Sequence, residues 1–134
     1  MTTGKAPLLA VVDDDAEVRL ALTRLVASAG FEVEAFASGE AFLQSVRDHE
    51  PDCVLLDLHM PDTNGFDVQS AMLAAHAGVP VIVITGHDST ESRARALNGG
   101  AKAYLCKPVD GETLLQTINA AIATRGAQAG WRRP

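Results

Sequence analysis

Residues 8–15 read LLAVVDDD, an unbroken aliphatic run that closes on three aspartates. Five apolar residues in succession, with no polar residue at alternate positions, suit a strand covered on both faces. That is the situation of a parallel sheet with helices on either side. Runs of similar length recur at Glu32–Phe36, Cys53–Leu56, Val81–Ile84 and Ala103–Cys106, and those at 53 and 81 are again continuously apolar. Between them the period changes. Val18, Leu22, Leu25 and Val26 mark one helical stripe, and Leu114, Leu115, Ile118 and Ile122 mark another. The stretches 39–49, 66–77 and 89–98 are shorter and Ala-rich, so propensity more than amphipathicity makes them helical. Strict alternation of strand and helix predicts five βα units around a parallel sheet.

Capping chemistry punctuates the same plan. Gly30 stands where the first helix must stop, as a left-handed residue. Ser38 is an N-cap for the second helix, Asp88 with Glu91 imitates a capping box for the fourth, and Asp110 caps the fifth. Gly126–Pro134 (GAQAGWRRP) is Gly-rich and without periodicity. The reading is one domain over 7–124, with 125–134 a C-terminal tail or the start of a linker.

Composition narrows the field. The 134 residues suit a single domain. With 11 Lys+Arg against 17 Asp+Glu the net charge is −6, which argues against direct nucleic-acid binding or an anionic membrane as partner. The longest apolar run, Val79 to Thr85, is far short of the roughly 20 residues that span a bilayer. Met1–Pro7 lacks the apolar core of a signal peptide. Cys53 and Cys106 lie in apolar runs on strands separated by a third, so both are expected to be buried thiols and not a disulfide. Together these features predict a cytoplasmic protein.

In an open α/β sheet, ligands sit outside the carboxyl ends of the strands. There the first run delivers Asp13-Asp14-Asp15, the third Asp57, the fourth Thr85-Gly86 and the fifth Lys107-Pro108. A lone aspartate after a strand is ordinarily a helix cap. Four strand ends bringing carboxylates, a hydroxyl and an ammonium to one edge are a different matter. Crowded carboxylates raise one another's pKa, and a hard divalent cation such as Mg²⁺ relieves them. Lys107 and Thr85 can hold phosphoryl oxygens, so the set fits phosphoryl transfer to an aspartate.

The stretches VVDDD at 11–15, LLDLHMPDTNG at 55–65, VIVITGH at 81–87 and GAKAYLCKPVD at 100–110 resemble the receiver domains of two-component response regulators, those of the FixJ type above all. The resemblance covers about residues 7–124. It implies a flavodoxin-like doubly wound (βα)5 sandwich of three layers with strand order 2-1-3-4-5. It also implies that Asp57 is the phosphoacceptor. On the same resemblance Asp14 would ligate Mg²⁺ directly, Asp13 directly or through water, and the backbone carbonyl of His59 would complete the protein ligands. Lys107 and Thr85 hold the phosphoryl group, and Tyr104 is a switch aromatic at the surface beside the fourth helix that turns inward when Thr85 moves. The Lys107-Pro108 bond is expected to be cis. The implied donor is a histidine kinase or phosphotransfer protein docking near Ala16, Arg19 and Val109. The output is a downstream protein or effector domain, reached by a monomer or a phosphorylation-linked dimer.

Several residues near the site carry less. Asp15 suits a helix-dipole or surface role. The resemblance implies that His59 and His87, two positions beyond Asp57 and Thr85, face the phosphoryl group and tune its hydrolysis, and no spaced ligand set makes them a transition-metal site. His49 and His76 fall near helix C-termini, and Arg93 and Arg95 make the fourth helix polar. Two other readings compete. A phosphatase of the haloacid-dehalogenase type needs a second aspartate two residues after the nucleophile, where this chain has His59. A flavodoxin-like nucleotide module needs a phosphate-cradling loop after strand 1, where this chain has three aspartates. Both fall behind a non-enzymatic phosphoacceptor.

Overall fold

The computed structural model describes residues 6–61 and 64–132, with 126–132 as backbone alone. Strands and helices alternate: β1 (Leu8–Val12), α1 (Ala16–Ser28), β2 (Glu32–Phe36), α2 (Gly39–Val46), β3 (Cys53–Asp57), α3 (Gly65–Ala75), β4 (Val81–Thr85), α4 (Thr90–Asn98), β5 (Ala103–Cys106) and α5 (Gly111–Arg132). The strands form one parallel sheet in the order β2-β1-β3-β4-β5. The architecture is therefore the flavodoxin-like one expected. β3 and β4 each run one residue further than their apolar runs, so Asp57 and Thr85 belong to the sheet itself.

Alternation of side chains across the sheet makes two cores. Ala10, Val12, Val54, Leu56, Val83 and Tyr104 face α2, α3 and α4, meeting Phe42, Val46, Val68, Met72 and Ala96. Leu9, Val11, Leu55, Ile82 and Ile84 face α1 and α5, meeting Leu22, Val26, Leu114 and Ile118. Each fully buried Leu or Ile contributes about 1.5–3 kcal/mol. The two cores are unequal. α4 buries Ala96 and nothing else.

The caps mostly fall where expected. Ser38 Oγ accepts from the Ala41 amide, Asp110 accepts from the Thr113 amide and hydroxyl, and Gly30 follows α1 with φ +99°. Asp15 caps α1, accepting from the Glu17 and Val18 amides. The fourth helix is a correction: Ser89, not Asp88, caps it, because Ser89 is the extended residue three positions before the Ser92 amide it accepts. A second correction concerns the C-terminal stretch. α5 continues to Arg132, since Ala, Gln and Arg propagate a helix already begun and an isolated glycine costs only about 1 kcal/mol. The side chains of Trp131 and Arg132, together with Asp62, Thr63, Arg133 and Pro134, lie outside the described residues.

Cys53 is buried and its thiol pKa is pushed up to about 12 by that burial. Cys106 is exposed, contrary to expectation, because it ends an edge strand with no neighbour beyond it. His76, at the C-terminus of α3, has its Nδ1 2.7 Å from Glu50 Oε2. Among the described residues no helix is long and apolar enough to cross a membrane.

Candidate functional site

The strand order reverses direction between β1 and β3, and the crevice this opens is the site. Val12 pairs with Leu56, so Asp13, which follows β1, stands beside Asp57, which ends β3. Asp13, Asp14 and Asp57 each bring a carboxylate oxygen within 4.8 Å of the others. Asp13 and Asp57 are buried, and Asp14 is exposed. From β5, cis Pro108 follows Lys107, whose Nζ donates to Asp13 Oδ2 at 2.9 Å and lies 3.7 Å from Asp57 Oδ1. Asp15, as a helix cap, gives its own amide to Asp13 Oδ1 at 2.9 Å.

Charge and burial set the proton affinities. Burial first, and the neighbouring Asp13 charge second, hold the Asp57 pKa above the ordinary carboxylate value; Lys107 pulls it back. Burial works against the Lys107 ammonium, yet the hydrogen bond to Asp13 and the charge of Asp57 prevail and push its pKa up. Three carboxylates face one ammonium. An all-oxygen donor set of that charge fits a hard divalent cation such as Mg²⁺, and it is the one cluster of ligand-type side chains among the described residues.

Thr85 is fully buried. Its Oγ1 accepts from the His87 amide at 3.0 Å and lies 3.0 Å from His59 Nδ1. The two imidazoles meet each other with centroids 4.6 Å apart. The His59 ring is turned to Thr85, and the two rings to one another.

Tyr104 departs from the expected position. Its ring is 5% exposed and part of the core under α4, with the Arg93 guanidinium 4.8 Å from its centroid. The ring is inward already, because an aromatic on the α4 face of β5 has a near-empty core beside it to fill. Arg93 and Arg95 are therefore not a plain solvated face, and Arg95 lies 4.0 Å over Phe66.

Two contributors were not legible as site residues. Arg19 Nη1 donates to the Asp13 carbonyl at 2.8 Å; its place one turn after the Asp15 cap was the available signal. Gly65, which reads as turn chemistry, is a close approach. A Cβ there would stand 2.6 Å from Leu58 Cα and 2.8 Å from the Asp57 carbonyl oxygen.

A doubly wound sheet whose carboxyl edge gathers three aspartates, a buried threonine and a lysine defines a class, that of acidic pockets fitted to accept a phosphoryl group. The family model for the response regulator receiver domain matches residues 9–119, and the chain belongs to that family, the receiver domains of two-component response regulators. It is 39% identical over 111 residues to nodulation protein W of Bradyrhizobium diazoefficiens, covering 83% of this chain and 49% of that protein. It is 36% identical over 130 residues to the transcriptional regulatory protein PrrA of Mycobacterium bovis, covering 96% and 56%. The chain thus spans about half the length of these curated relatives. A CheY-like response regulator receiver domain protein of Methanospirillum hungatei superposes with a TM-score of 0.89 at 27% identity, covering 92% of this chain and 99% of that one.

Proposed function

We propose that this chain is a phosphorylation-controlled switch whose Asp57 takes a phosphoryl group from a phosphohistidine on a histidine kinase or phosphotransfer protein. The observation that carries the reading is the carboxylate trio within 4.8 Å, with Lys107 Nζ 3.7 Å from Asp57 Oδ1. A carboxylate oxygen of Asp57 attacks phosphorus and an O–P bond forms. The P–N bond breaks, and the departing imidazole nitrogen keeps the electron pair and takes up a proton. Lys107 offers positive charge, and Thr85 a hydroxyl, to the phosphoryl oxygens. Asp13, Asp14, Asp57 and the His59 carbonyl are the residues that would hold Mg²⁺, which when bound neutralises charge on phosphoryl group and carboxylates.

The domain assists only its own phosphorylation and dephosphorylation. A phosphatase of the haloacid-dehalogenase type needs a second aspartate two residues after its nucleophile, and here the imidazole of His59 occupies that position and is engaged with Thr85. The phosphodonor docks an amphipathic helix on the groove between α1 and the β5–α5 loop. Val18, Ala21, Leu22, Leu25, Pro108 and Val109 line it, and Lys107 belongs to both groove and pocket. The signal leaves through Thr85 and Tyr104 to the α4–β5–α5 surface, and so to a downstream protein or effector domain. Residues 7–124 act as the receiver, with 125–134 as tail or linker start. The setting is the cytoplasm, and the acting form is a monomer or a phosphorylation-linked dimer.

The test is chemical. Acetyl phosphate with Mg²⁺ should add one labile phosphoryl group, seen by mass spectrometry, and none without Mg²⁺. Asp57→Asn should stay unlabelled; undiminished labelling of that variant would sink the assignment.

A further inference from the structure

The Thr85 hydroxyl lies wholly inside the protein, and neither of its hydrogen bonds is to Asp57. One comes from the His87 amide at 3.0 Å, the other joins His59 Nδ1 at 3.0 Å. A hydroxyl has one hydrogen and two lone pairs. The amide can only donate, so it occupies a lone pair of Oγ1 and leaves the Thr85 hydrogen for the other partner. An Nδ1 on His59 that accepts completes this count. The His87 ring, 4.6 Å from the His59 ring between centroids, packs against the imidazole in that place.

We propose that His59 is a positioning residue that sequesters the Thr85 hydroxyl hydrogen in the unphosphorylated domain, so that a phosphoryl group on Asp57 must win that hydrogen from an imidazole. The proposal rests on the reading of Thr85 as the hydroxyl that holds the phosphoryl group. It gives His59 a side-chain role apart from its backbone carbonyl. The bond is a latch on the resting state. The same three residues give it an anchor, since the His87 amide holds the oxygen whose hydrogen His59 accepts. His59 is exposed, so water competes for the bond and its strength is that of one ordinary hydrogen bond.

The experiment titrates the chain with beryllium fluoride in excess Mg²⁺ and follows the amide resonances of residues 88–106. Releasing the latch in His59→Leu should tighten the midpoint about fivefold, the equivalent of one such bond. His59→Asn, whose side-chain oxygen can accept in place of Nδ1, should stay within about twofold of wild type. In a Thr85→Val background, where there is no hydroxyl to hold, His59→Leu should have no further effect. Nitrogen spectra of the wild type should show His59 Nδ1 as an unprotonated acceptor whose signal shifts when beryllium fluoride binds. A midpoint unmoved or weakened in His59→Leu, an equal shift without the Thr85 hydroxyl, or a protonated Nδ1 at rest overturns the latch. These outcomes are separable from failure of the phosphoacceptor reading, which falls if wild type and Asp57→Asn respond alike to beryllium fluoride.

Discussion

At Gly65 the chain has no room for a side chain. The atoms that a Cβ would strike, Leu58 Cα and the Asp57 carbonyl oxygen, are backbone at the strand end that carries the Asp57 carboxylate. Neither yields without moving the pocket. Gly65→Ala should therefore cost about 1–3 kcal/mol in denaturant unfolding and slow labelling of Asp57. Wild-type stability together with wild-type labelling would contradict this. Lys107 makes the opposite case, a side chain that cannot be spared. Lys107→Ala strips the cation from Asp13 and Asp57, and the buried carboxylates left behind should cost about 1–3 kcal/mol. Mg²⁺ should raise the melting temperature of Lys107→Ala by more than that of wild type; equal shifts would refute the compensation. Asp13, Asp14, Asp57, Thr85 and Lys107 are legible in the sequence because lying at or just past the end of a strand is a local property of the chain. The partner of His59 is not legible, since it depends on how side chains from two strands rotate towards each other.

Helix α5 starts on Asp110, whose pKa the Thr113 amide, and then the Thr113 hydroxyl, hold below the ordinary carboxylate value. A depressed folded-state pKa stabilises the fold above the unfolded value and loses that contribution as pH falls through the folded one. The stability difference between wild type and Asp110→Ala should thus be steady at neutral pH and shrink on acidification below about pH 4. A difference that grows with acid would reverse the sign. For elements as a whole, all five strands are legible, β1, β3 and β4 because continuous aliphatic runs of strand length have few other readings, β2 and β5 because they fall between helical stretches in a strict alternation. The cap of α4 is missed by one residue because Asp88 and Ser89 are both good caps, and only the backbone turn selects between them. The length of α5 is missed because glycines in a tail and glycines in a running helix look alike in one dimension. The inward ring of Tyr104 depends on how little α4 brings to the core, which no pattern within β5 records.

Across the molecule, each face of the sheet has its own core, and α4 contributes only Ala96 to one of them. What holds α4 down is largely polar: Arg93 on Tyr104 and Arg95 on Phe66, and, buried beneath the helix, the Gln69 amide donating to the Ala96 carbonyl at 2.9 Å. Heat capacity is where this layout becomes visible. Global unfolding exposes both cores and should carry the usual increment of about 12–15 cal/mol/K per residue. A repositioning of α4 exchanges little apolar area with water, so the calorimetric ΔCp of beryllium fluoride binding should be a small fraction of the unfolding value, and its van't Hoff plot nearly straight. A steeply curved plot would mean that the switch opens one of the two cores. If the plot is straight, one enthalpy governs the response from cold to warmth, and its temperature dependence follows a single slope.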